Sequence, residues 1–412
     1  MKLPRSLEVL HERSFARYLA AVTVSTLGSG MAMVALAFAV LEFGDATALG
    51  IVLLAREIPI IILLLLGGVF ADRLPRRAIL VGSDLVKGTA QVVTAVLLFS
   101  GNANVWNIAL AQTVFGVAAA FSRPATIGLV REAVSDGRLQ QANALLGLAS
   151  SVLSIAGPAV GALIVAAGSP ALAIAIDSLT FFASAALTAS MHLAPTLRIA
   201  SASILGDLRD GWHEFTQRSW AVAMVVSFGL FQLTYFPALL VLGPVVAKQE
   251  MGGVGAWGTI LAVESLGAVV GGLFALRIRV KRPLVACQLF VIPSGVLLGA
   301  LAVPASLIVV VVVSFAVGVG FAIGGTLWMT ALQRNVPEHA ISRISSFDWL
   351  GSVALNPIGY VLIGPIAAAL GTPETLVVAA ILNIAVCFSV ILVPSVRHIG
   401  MAGQPVPVGA TG

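Results

Sequence analysis

Ionisable side chains interrupt several of the long apolar stretches in this 412-residue chain. A charged group in the core of an apolar helix costs several kcal/mol when that helix is surrounded by lipid. Such residues therefore either pair with one another or line a path for protons, ions or polar groups of a ligand. The residues concerned are Arg56, Glu57, Asp84, Lys87, Asp177, Glu264 and Asp348.

Two of these residues are spaced to neutralise each other. Asp84 and Lys87 lie three residues apart, so a helix places them on one face, where they can neutralise one another in an ion pair or bridge to a neighbouring helix. Either arrangement favours a structural role over a pathway. Arg56 and Glu57 are adjacent and point about 100° apart on a helix, so each needs its own partner or a water-filled cavity. For Glu57 a proton relay and a structural pair are both open.

Glu264 is the first candidate for coupling by reversible protonation. It has no cation within one helical turn, and it lies among Gly267, Gly271 and Gly272, so it can face a cavity. Desolvation of a carboxyl group favours its protonated form, which suits a group that binds and releases protons.

Asp177 and Asp348 are further candidates for a pathway. Asp177 lies in the stretch IDSLTFFAS, where Ser178 and Thr180 can satisfy it locally, which favours a structural role. Asp348 lies a turn or two from a helix end near Arg343, which favours an ion pair at a gate.

The elements that position these residues follow from composition. Apolar residues make up 59% of the chain and charged residues 10%, whereas soluble domains carry about 25% charged residues. Stretches long enough to cross a bilayer recur along the chain, and their length excludes barrel strands. We count twelve and predict an all-α polytopic membrane protein with helices near 15–42, 46–70, 78–100, 104–123, 140–167, 170–193, 219–247, 254–276, 283–303, 306–333, 341–370 and 373–394.

Lysine and arginine predict the orientation of these helices. All but Arg56, Lys87 and Lys248 fall at the termini or in even-numbered connections, which are therefore cytoplasmic, as are both termini. This arrangement accounts for the basic composition without a nucleic-acid partner. The connections are too short for a folded domain outside the membrane, so the function lies within the helices.

A weak internal repeat predicts two six-helix halves. The hairpin GGVFADRLPRR at 67–77 matches GGLFALRIRVKR at 271–282, and each follows the second helix of its half. Repeats of this kind are common in transporters, where the substrate site lies between the halves. We predict a bundle at 1–193, a linker at 194–218 and a second bundle at 219–412. In the linker, Ile204, Leu208, Trp212 and Phe215 recur at helical spacing, as in an amphipathic interfacial helix.

Motifs for catalysis, cofactors and metals are missing from the sequence. There is no GxxxxGK[ST], HExxH or GxSxG, and Cys287, Cys387 and the five histidines form no metal-binding pattern. We therefore expect no enzyme activity, no ATP hydrolysis and no bound cofactor or metal, and we expect an ion gradient, most simply of protons, to supply the energy.

The first hairpin resembles a known signature. Gly68, Asp72, Arg73, Arg76 and Arg77 match the Gly-x-x-x-Asp-Arg-x-Gly-Arg-Arg loop of the major facilitator superfamily, with Pro75 in place of the second glycine. The flanking stretches QQANAL, IDSLTFFAS and LWMTALQRNVP resemble more specifically the branch with enterobactin-type exporters and macrolide efflux proteins. The resemblance covers nearly the whole chain.

The resemblance implies that this loop is a gating latch. Asp72 would contact the cytoplasmic end of a helix in the other half, and the arginines would hold the loop at the membrane surface. The second hairpin has Leu276 at the equivalent position, so only the first half can make that acidic contact. A positively charged turn that only fixes topology is the alternative.

Two further stretches qualify the resemblance. SIAGPAVGALI is similar to the Gly-Pro-x-x-Gly-Gly element in the fifth helix of drug antiporters, matched by Gly157, Pro158 and Gly161, although these could be ordinary packing residues at a kink. The arginine typical of the fourth helix in proton-coupled members falls at Gln112. Proton antiport is therefore an expectation that cannot simply be carried over.

The sequence as a whole predicts a secondary-active exporter of amphipathic or hydrophobic small molecules, of drug or siderophore type, working by alternating access. We expect a monomer in the bacterial cytoplasmic membrane. An uptake symporter and a non-transporting receptor or assembly factor are the alternatives. The candidate substrate wall is aromatic and consists of Phe231, Tyr235, Phe236 and Trp328.

Overall fold

The structure is a computed structural model, and it describes residues 9–192, 212–303, 305–336 and 338–399. For residues 64–73, 127, 136, 338–343, 345 and 346 it describes the backbone alone. Within these ranges the chain is helical and contains no strand. Twelve helices are long and apolar enough to cross a membrane, which confirms the predicted all-α polytopic fold.

The spanning helices follow the predicted stretches with ends that shift by a few residues, except that the fourth continues to Ala133, ten residues beyond its predicted end. The first six are α1 (Arg13–Phe43), α2 (Ala46–Arg73), α3 (Arg76–Phe99), α4 (Val105–Ala133), α5 (Leu139–Ala167) and α6 (Pro170–Ala189). The next six are α7 (Ser219–Glu250), α8 (Val254–Ala275), α9 (Pro283–Ala302), α10 (Leu307–Asn335), α11 (Glu338–Val353 and Asn356–Leu370) and α12 (Thr372–Ile391), and a short helix α13 (Pro394–His398) follows.

Side-chain caps explain how short connections can start long helices. Asn104 accepts hydrogen bonds from the backbone N–H groups of Trp106 at 3.0 Å and Asn107 at 3.1 Å, forming a capping box before α4. Ser169 accepts from the N–H of Leu172 at 3.2 Å, and Pro170 occupies the first position of α6. Both connections thus satisfy N–H groups that would otherwise lack acceptors.

Helix α7 changes its winding in the middle. An α-helical segment ends at Pro237, residues Ala238–Leu242 form a π-helical turn, and Gly243–Glu250 are α-helical again. Proline removes a backbone donor, and π-helical turns occur often at functional sites. The π-helical turn begins directly after the predicted aromatic stretch, so the aromatic residues lie on one side of the distortion and Gly243–Glu250 on the other.

Contacts divide the chain into two compact units. Unit 1 contains Met1–Ser201, Pro237–Ser265 and Pro357–Thr375, and unit 2 contains Ala202–Phe236, Leu266–Asn356 and Leu376–Gly412. In unit 1, α1 packs against α5 and α6, α2 against α4, and α3 against α4 and α6, while in unit 2 α9 packs against α10. The predicted division at 193 and 219 stays a prediction, because this grouping follows packing and places parts of α7, α8 and α11 with the first six helices.

The lysine that departs from the charge pattern has a structural explanation. Lys248 Nζ donates to the carbonyl oxygen of Leu41 at 2.5 Å in unit 1. That carbonyl lies at the C-terminal end of α1, where a cation is favoured by unpaired carbonyl groups and by the helix dipole. Lys248 therefore stabilises the end of α1 at the side predicted to face outward.

Most of the predicted linker lies outside the described residues, including Ile204 and Leu208. In the described part, Phe215 is buried in unit 2, and its ring stacks on Phe347 with centroids 6.0 Å apart. Trp212 meets the same ring edge-on at 5.5 Å. The end of the linker is thus packed onto the start of α11.

Candidate functional site

The predicted ion pair in α3 is present. Lys87 Nζ lies 2.7 Å from Asp84 Oδ1, and the hydroxyl group of Ser184 on α6 donates to Asp84 Oδ2 at 2.6 Å. The ammonium group also lies 4.6 Å from the ring centroid of Phe181. The pair therefore fixes α3 against α6 with both charges compensated.

Asp177 is fully buried, and its main partner comes from another helix. The amide group of Gln91 on α3 donates to Asp177 Oδ2 at 2.6 Å, and Gln112 on α4 donates to Gln91 Oε1 at 3.3 Å. Thr180 donates to Asp177 Oδ1 at 3.3 Å, as predicted, but the hydroxyl group of Ser178 donates to the Ala175 carbonyl at 2.6 Å. Gln91 was not among the predicted site residues, although a lone amide in an apolar helix is a signal for an interhelical hydrogen bond.

Arg56 lies over an aromatic ring. Its guanidinium carbon lies 4.1 Å from the centroid of the Phe115 ring, a cation–π contact. Phe115 in turn meets Phe181 edge-on at 5.5 Å. Glu57 interacts electrostatically with Arg56 and with Tyr360 on α11. Neither interaction decides between its two predicted roles, which remain predictions.

Glu264 lies in unit 1 on α8, and its Oε2 atom is buried without a hydrogen-bond partner among the described residues. Its neighbour Ser265 donates to the Ser154 carbonyl of α5 at 2.8 Å, so this part of α8 packs on α5. The sequence of α5 contains no Asp, Glu, Lys or Arg. A charged Glu264 would thus have no compensating cation from α5, as expected for a group that binds a proton.

The glycines predicted to kink or pack α5 permit close contact with α1. A Cβ atom at Gly157 would lie 2.8 Å from the Cα atom of Gly30, and one at Gly161 would lie 2.7 Å from the Cα atom of Met31. Real Cβ atoms do not approach other atoms this closely, so both positions need glycine. Pro158 lies between them inside the helix, and its ring also borders Gly30, since a Cβ atom there would lie 3.3 Å from Pro158 Cδ.

An aromatic cavity of about 240 Å³ lies in unit 2. Three of the four predicted wall residues, Phe231, Phe236 and Trp328, line it. Two further rings, Phe228 and Phe321, also line the cavity and were not among the predicted wall residues. The remaining lining residues are Gln232, Cys287, Val291, Gly324, Gly325 and Ser352, and no charged residue is among them.

Tyr235 does not line this cavity, which corrects its predicted place in the wall. It is fully buried, and its ring packs against Phe231 at 5.3 Å, Phe236 at 5.1 Å and Phe321 at 5.5 Å. The reason is packing and not the side of the helix, because Phe231 and Tyr235 lie four residues apart on one face. The rings of Phe231, Phe236 and Phe321 enclose Tyr235. Tyr235 therefore supports the wall from behind.

Two polar groups belong to the surroundings of the cavity. The Oε1 atom of Gln232 is buried without a hydrogen-bond partner among the described residues. The indole N–H of Trp328 donates to Asp348 Oδ2 at 2.9 Å, which fixes the orientation of that ring. The predicted ion pair of Asp348 with Arg343 involves a side chain outside the described residues.

Unit 2 also contains a neutral counterpart to the buried contact at Asp177. Ser294 on α9 donates to Asn383 Oδ1 at 2.9 Å, and Asn383 donates to Thr234 at 3.4 Å. Helices α9 and α12 are the third and sixth of the second half, as α3 and α6 are of the first. The corresponding helix pair is thus joined by an amide where the first half uses a carboxylate.

The predicted gating loop is described only in part. Gly68, Asp72 and Arg73 lie at the end of α2, and their side chains are outside the described residues, so the latch remains a prediction. Arg76 forms an ion pair with Glu132 on α4 at 3.2 Å, and Arg77 donates to the carbonyl group of Ala189 at the end of α6. These two arginines hold the start of α3 against its neighbours.

A further polar contact on the side predicted to be cytoplasmic involves Glu12, which directly precedes α1; we call this contact the Glu12 anchor. Glu12 accepts hydrogen bonds from the N–H group of Ser135 at 3.0 Å and from its hydroxyl group at 2.8 Å, and forms an ion pair with Arg138 at 3.1 Å. Although partial burial acts in the opposite direction, the hydrogen bonds from Ser135 and the charge of Arg138 hold the pKa of Glu12 below its ordinary value. This anchor ties the start of α1 to the connection between α4 and α5.

Comparison with known proteins adds sequence relatives to this geometry. A family profile described as transmembrane secretion effector matches residues 5–402. The multidrug efflux pump Tap of Mycolicibacterium fortuitum is 25% identical over 397 residues, which cover 92% of this chain and 95% of the pump. Macrolide efflux protein A of Streptococcus pyogenes is 21% identical over 389 residues, which cover 92% and 95%.

Solved structures show the same fold. The nucleoside transporter NupG has a TM-score of 0.71 and 13% sequence identity, over 92% of this chain and 98% of that structure. A D-xylose-proton symporter has a TM-score of 0.71 and 12% identity, over 93% and 98%. At such identities the likeness shows the fold alone.

Proposed function

This chain belongs to the transmembrane secretion effector family of the major facilitator superfamily, and on that premise we propose that it exports amphipathic or hydrophobic small molecules. The proposed cycle is alternating access, in which the path opens in turn to each side of the membrane. The sequence relatives support export, because those named above are efflux proteins.

The observation that carries this proposal is the aromatic cavity of unit 2. Four phenylalanines and Trp328 surround it, and no charged side chain lines it. Such walls bind ligands through apolar burial and ring contacts, and the Gln232 amide supplies one polar group for orientation. A hydrophilic substrate such as a free sugar would find few hydrogen-bond partners there.

The volume limits what the cavity binds in this conformation. Pockets for drug-sized ligands measure about 300–1,000 Å³, and the cavity measures about 240 Å³. We therefore propose that it takes up a ring-bearing part of a larger compound. Substrates would then share an aromatic or alicyclic moiety and differ elsewhere, as drug-type and siderophore-type compounds do.

We propose protons as the coupling ion and Glu264 as the group that binds them. Its carboxyl group has a buried oxygen without a donor, which disfavours the charged form, and α5 supplies no cation. Proton entry would neutralise the group, and proton release would require water or a rearrangement. The protein would work as a monomer in the bacterial cytoplasmic membrane with both termini inside, without ATP or a cofactor.

The test is accumulation of labelled hydrophobic drugs and siderophores in an efflux-deficient bacterium, with and without a protonophore. We expect lower accumulation on expression, and the protonophore should abolish this effect. Phe236→Ala should reduce export of ring-bearing compounds about tenfold, because roughly 1–2 kcal/mol of ring contact is lost. The matched control is Phe388→Ala, which removes a 50% exposed ring on α12.

The outcomes separate the alternatives. Accumulation above the empty-vector level would mean uptake and would overturn the proposed direction. Export that survives the protonophore, or that is unchanged in Glu264→Gln, would overturn proton coupling at this residue. Equal losses in Phe236→Ala and Phe388→Ala would show that the cavity has no specific role.

A further inference from the structure

Helices α5 and α8 meet along a line of small residues in unit 1. A Cβ atom at Gly258 would collide with the methyl group of Ala162 and lie 3.3 Å from the Pro158 carbonyl oxygen. Further along the same contact, Ser265 reaches Ser154. Residues 154, 158 and 162 follow each other at intervals of four, so they form one face of α5. Gly157 and Gly161 pack on α1, and Pro158 belongs to both contacts, because its ring borders Gly30 of α1 while its carbonyl oxygen faces Gly258.

The contact at Ser265 has a cause in the covalent chemistry of α5. In an α-helix the N–H group of residue 158 would donate to the carbonyl group of residue 154. Pro158 has no N–H group, so the Ser154 carbonyl loses its intrahelical donor. The hydroxyl group of Ser265 donates to this oxygen at 2.8 Å. The Ser154 hydroxyl is itself engaged, because it donates to the Ser151 carbonyl at 2.8 Å.

An unpaired carbonyl group in a membrane protein is unfavourable, so the partner that satisfies it matters. The sequence assigns α5 and α8 to different six-helix halves. In alternating access these halves must separate on the outer side when the path opens outward. The hydrogen bond would then break, and water could replace Ser265, because Ser154 lies at an accessible edge of the contact.

We propose that Ser265 and the carbonyl group freed by Pro158 form a clasp that holds α5 on α8 while the outer side is closed. Ser265 is a positioning residue in this scheme, and it sets how often the path opens outward. The clasp rests on alternating access in the family and is independent of the substrate and of the coupling ion. In this scheme Pro158 does more than kink α5, because it leaves the Ser154 carbonyl oxygen free to accept a hydrogen bond from Ser265 of α8.

The test measures opening without any substrate. Ala262→Cys places a reporter four residues after Gly258 and three before Ser265, on the same face of α8. The two native cysteines, Cys287 and Cys387, are buried and give a low background. Intact cells are treated with a membrane-impermeant maleimide, and the labelling rate is measured per folded molecule.

In this background Ser265→Ala should raise the labelling rate about two- to tenfold, the range that one net hydrogen bond gives. Ser265→Thr keeps the hydroxyl group and should label at the parent rate. The matched control is Thr259→Ala, since that hydroxyl group donates to Gly255 at 2.8 Å within α8 and does not cross to α5. It should leave the rate unchanged.

Pro158→Ala supplies the decisive comparison, because it gives the Ser154 carbonyl an intrahelical donor. In that variant, adding Ser265→Ala should change the rate less than twofold. An undiminished effect there, a parent-like rate in Ser265→Ala, or a fast rate in Ser265→Thr would overturn the clasp. Failure to export any compound with these labelling results intact would instead overturn the proposed function and leave the clasp standing.

Discussion

The ion pair in α3 allows a quantitative test of whether a buried charge is structural. The side chains of Lys87 and Asp84 are 11% and 10% exposed, and their charged atoms are 2.7 Å apart. Lys87→Met keeps the length of the side chain but leaves the carboxylate without its cation. Removing one partner of a buried pair costs about 3–5 kcal/mol. Because the hydrogen bond from Ser184 still satisfies one carboxylate oxygen in the variant, we expect a loss near the lower end of this range, about 3 kcal/mol.

The double variant Asp84→Asn with Lys87→Met isolates the charge. The asparagine oxygen can still accept from Ser184, and no unpaired charge remains. Replacing a buried pair by neutral groups is often nearly neutral in free energy. The lost contact of Lys87 with the Phe181 ring adds about 0.5–1 kcal/mol. We therefore expect the double variant to lose only about 1 kcal/mol, which makes it more stable than the single variant.

The assay is reversible unfolding in mixed detergent micelles, followed by circular dichroism, together with export in cells. Lys281→Met serves as a control for loss of a lysine at an exposed position and should cost less than about 1 kcal/mol. If Lys87→Met is as stable as the parent, or if the double variant is less stable than Lys87→Met, the buried charge does not have the proposed structural role. A stable double variant without export would place the pair in the transport path.

Three further predictions concern packing, pH and the gating loop. Gly157→Ala should cost about 1–3 kcal/mol in the same assay, because its Cβ would press on Gly30, whereas Gly299→Ala, with open space around it, should be tolerated. Glu12→Gln should lower the free energy of unfolding by about 0.2–1 kcal/mol above pH 4.5. Because folding lowers the pKa of Glu12, the stability that its carboxylate contributes is lost as the pH falls below that value. The unfolding free energies of the variant and the parent should therefore become equal in acid. Asp72→Asn should impair turnover and change the labelling of the Ala262→Cys reporter, and unchanged export in that variant would contradict the latch.

Some of the site could be predicted because a single helix fixes the geometry. The twelve spans follow from the width of the hydrocarbon layer, which requires about 20 apolar residues in each helix. Asp84 and Lys87 share one helix, so their spacing alone predicts the pair. Phe231 and Phe236 lie within two turns of α7, and both reach the same cavity. Tyr235 was misplaced because it shares a helix face with Phe231, and the position of the Phe321 ring of α10, which helps to enclose it, does not follow from spacing along the chain.

Contacts between helices could not be predicted in this way. The partner of Asp177 is Gln91, which lies 86 residues away, and spacing along the chain does not encode this distance in space. The residues of α5 illustrate the same limit. A short run of glycine and proline predicts close packing, but only the folded chain separates the face toward α1 from the face toward α8.

The charge-free cavity of unit 2 has a consequence for how such a protein diversifies. In the described residues, the ion pair of α3 and the carboxylate at Asp177 lie in unit 1, whereas the Asn383 contact and the cavity lining are uncharged. Replacing one cavity ring by another apolar residue alters the shape offered to a compound and leaves the charge balance of the membrane interior as it was. If the cavity binds the exported compound as proposed, selection on chemical preference can therefore act on Phe228, Phe231 and Phe321 without adding or removing a charge within the membrane.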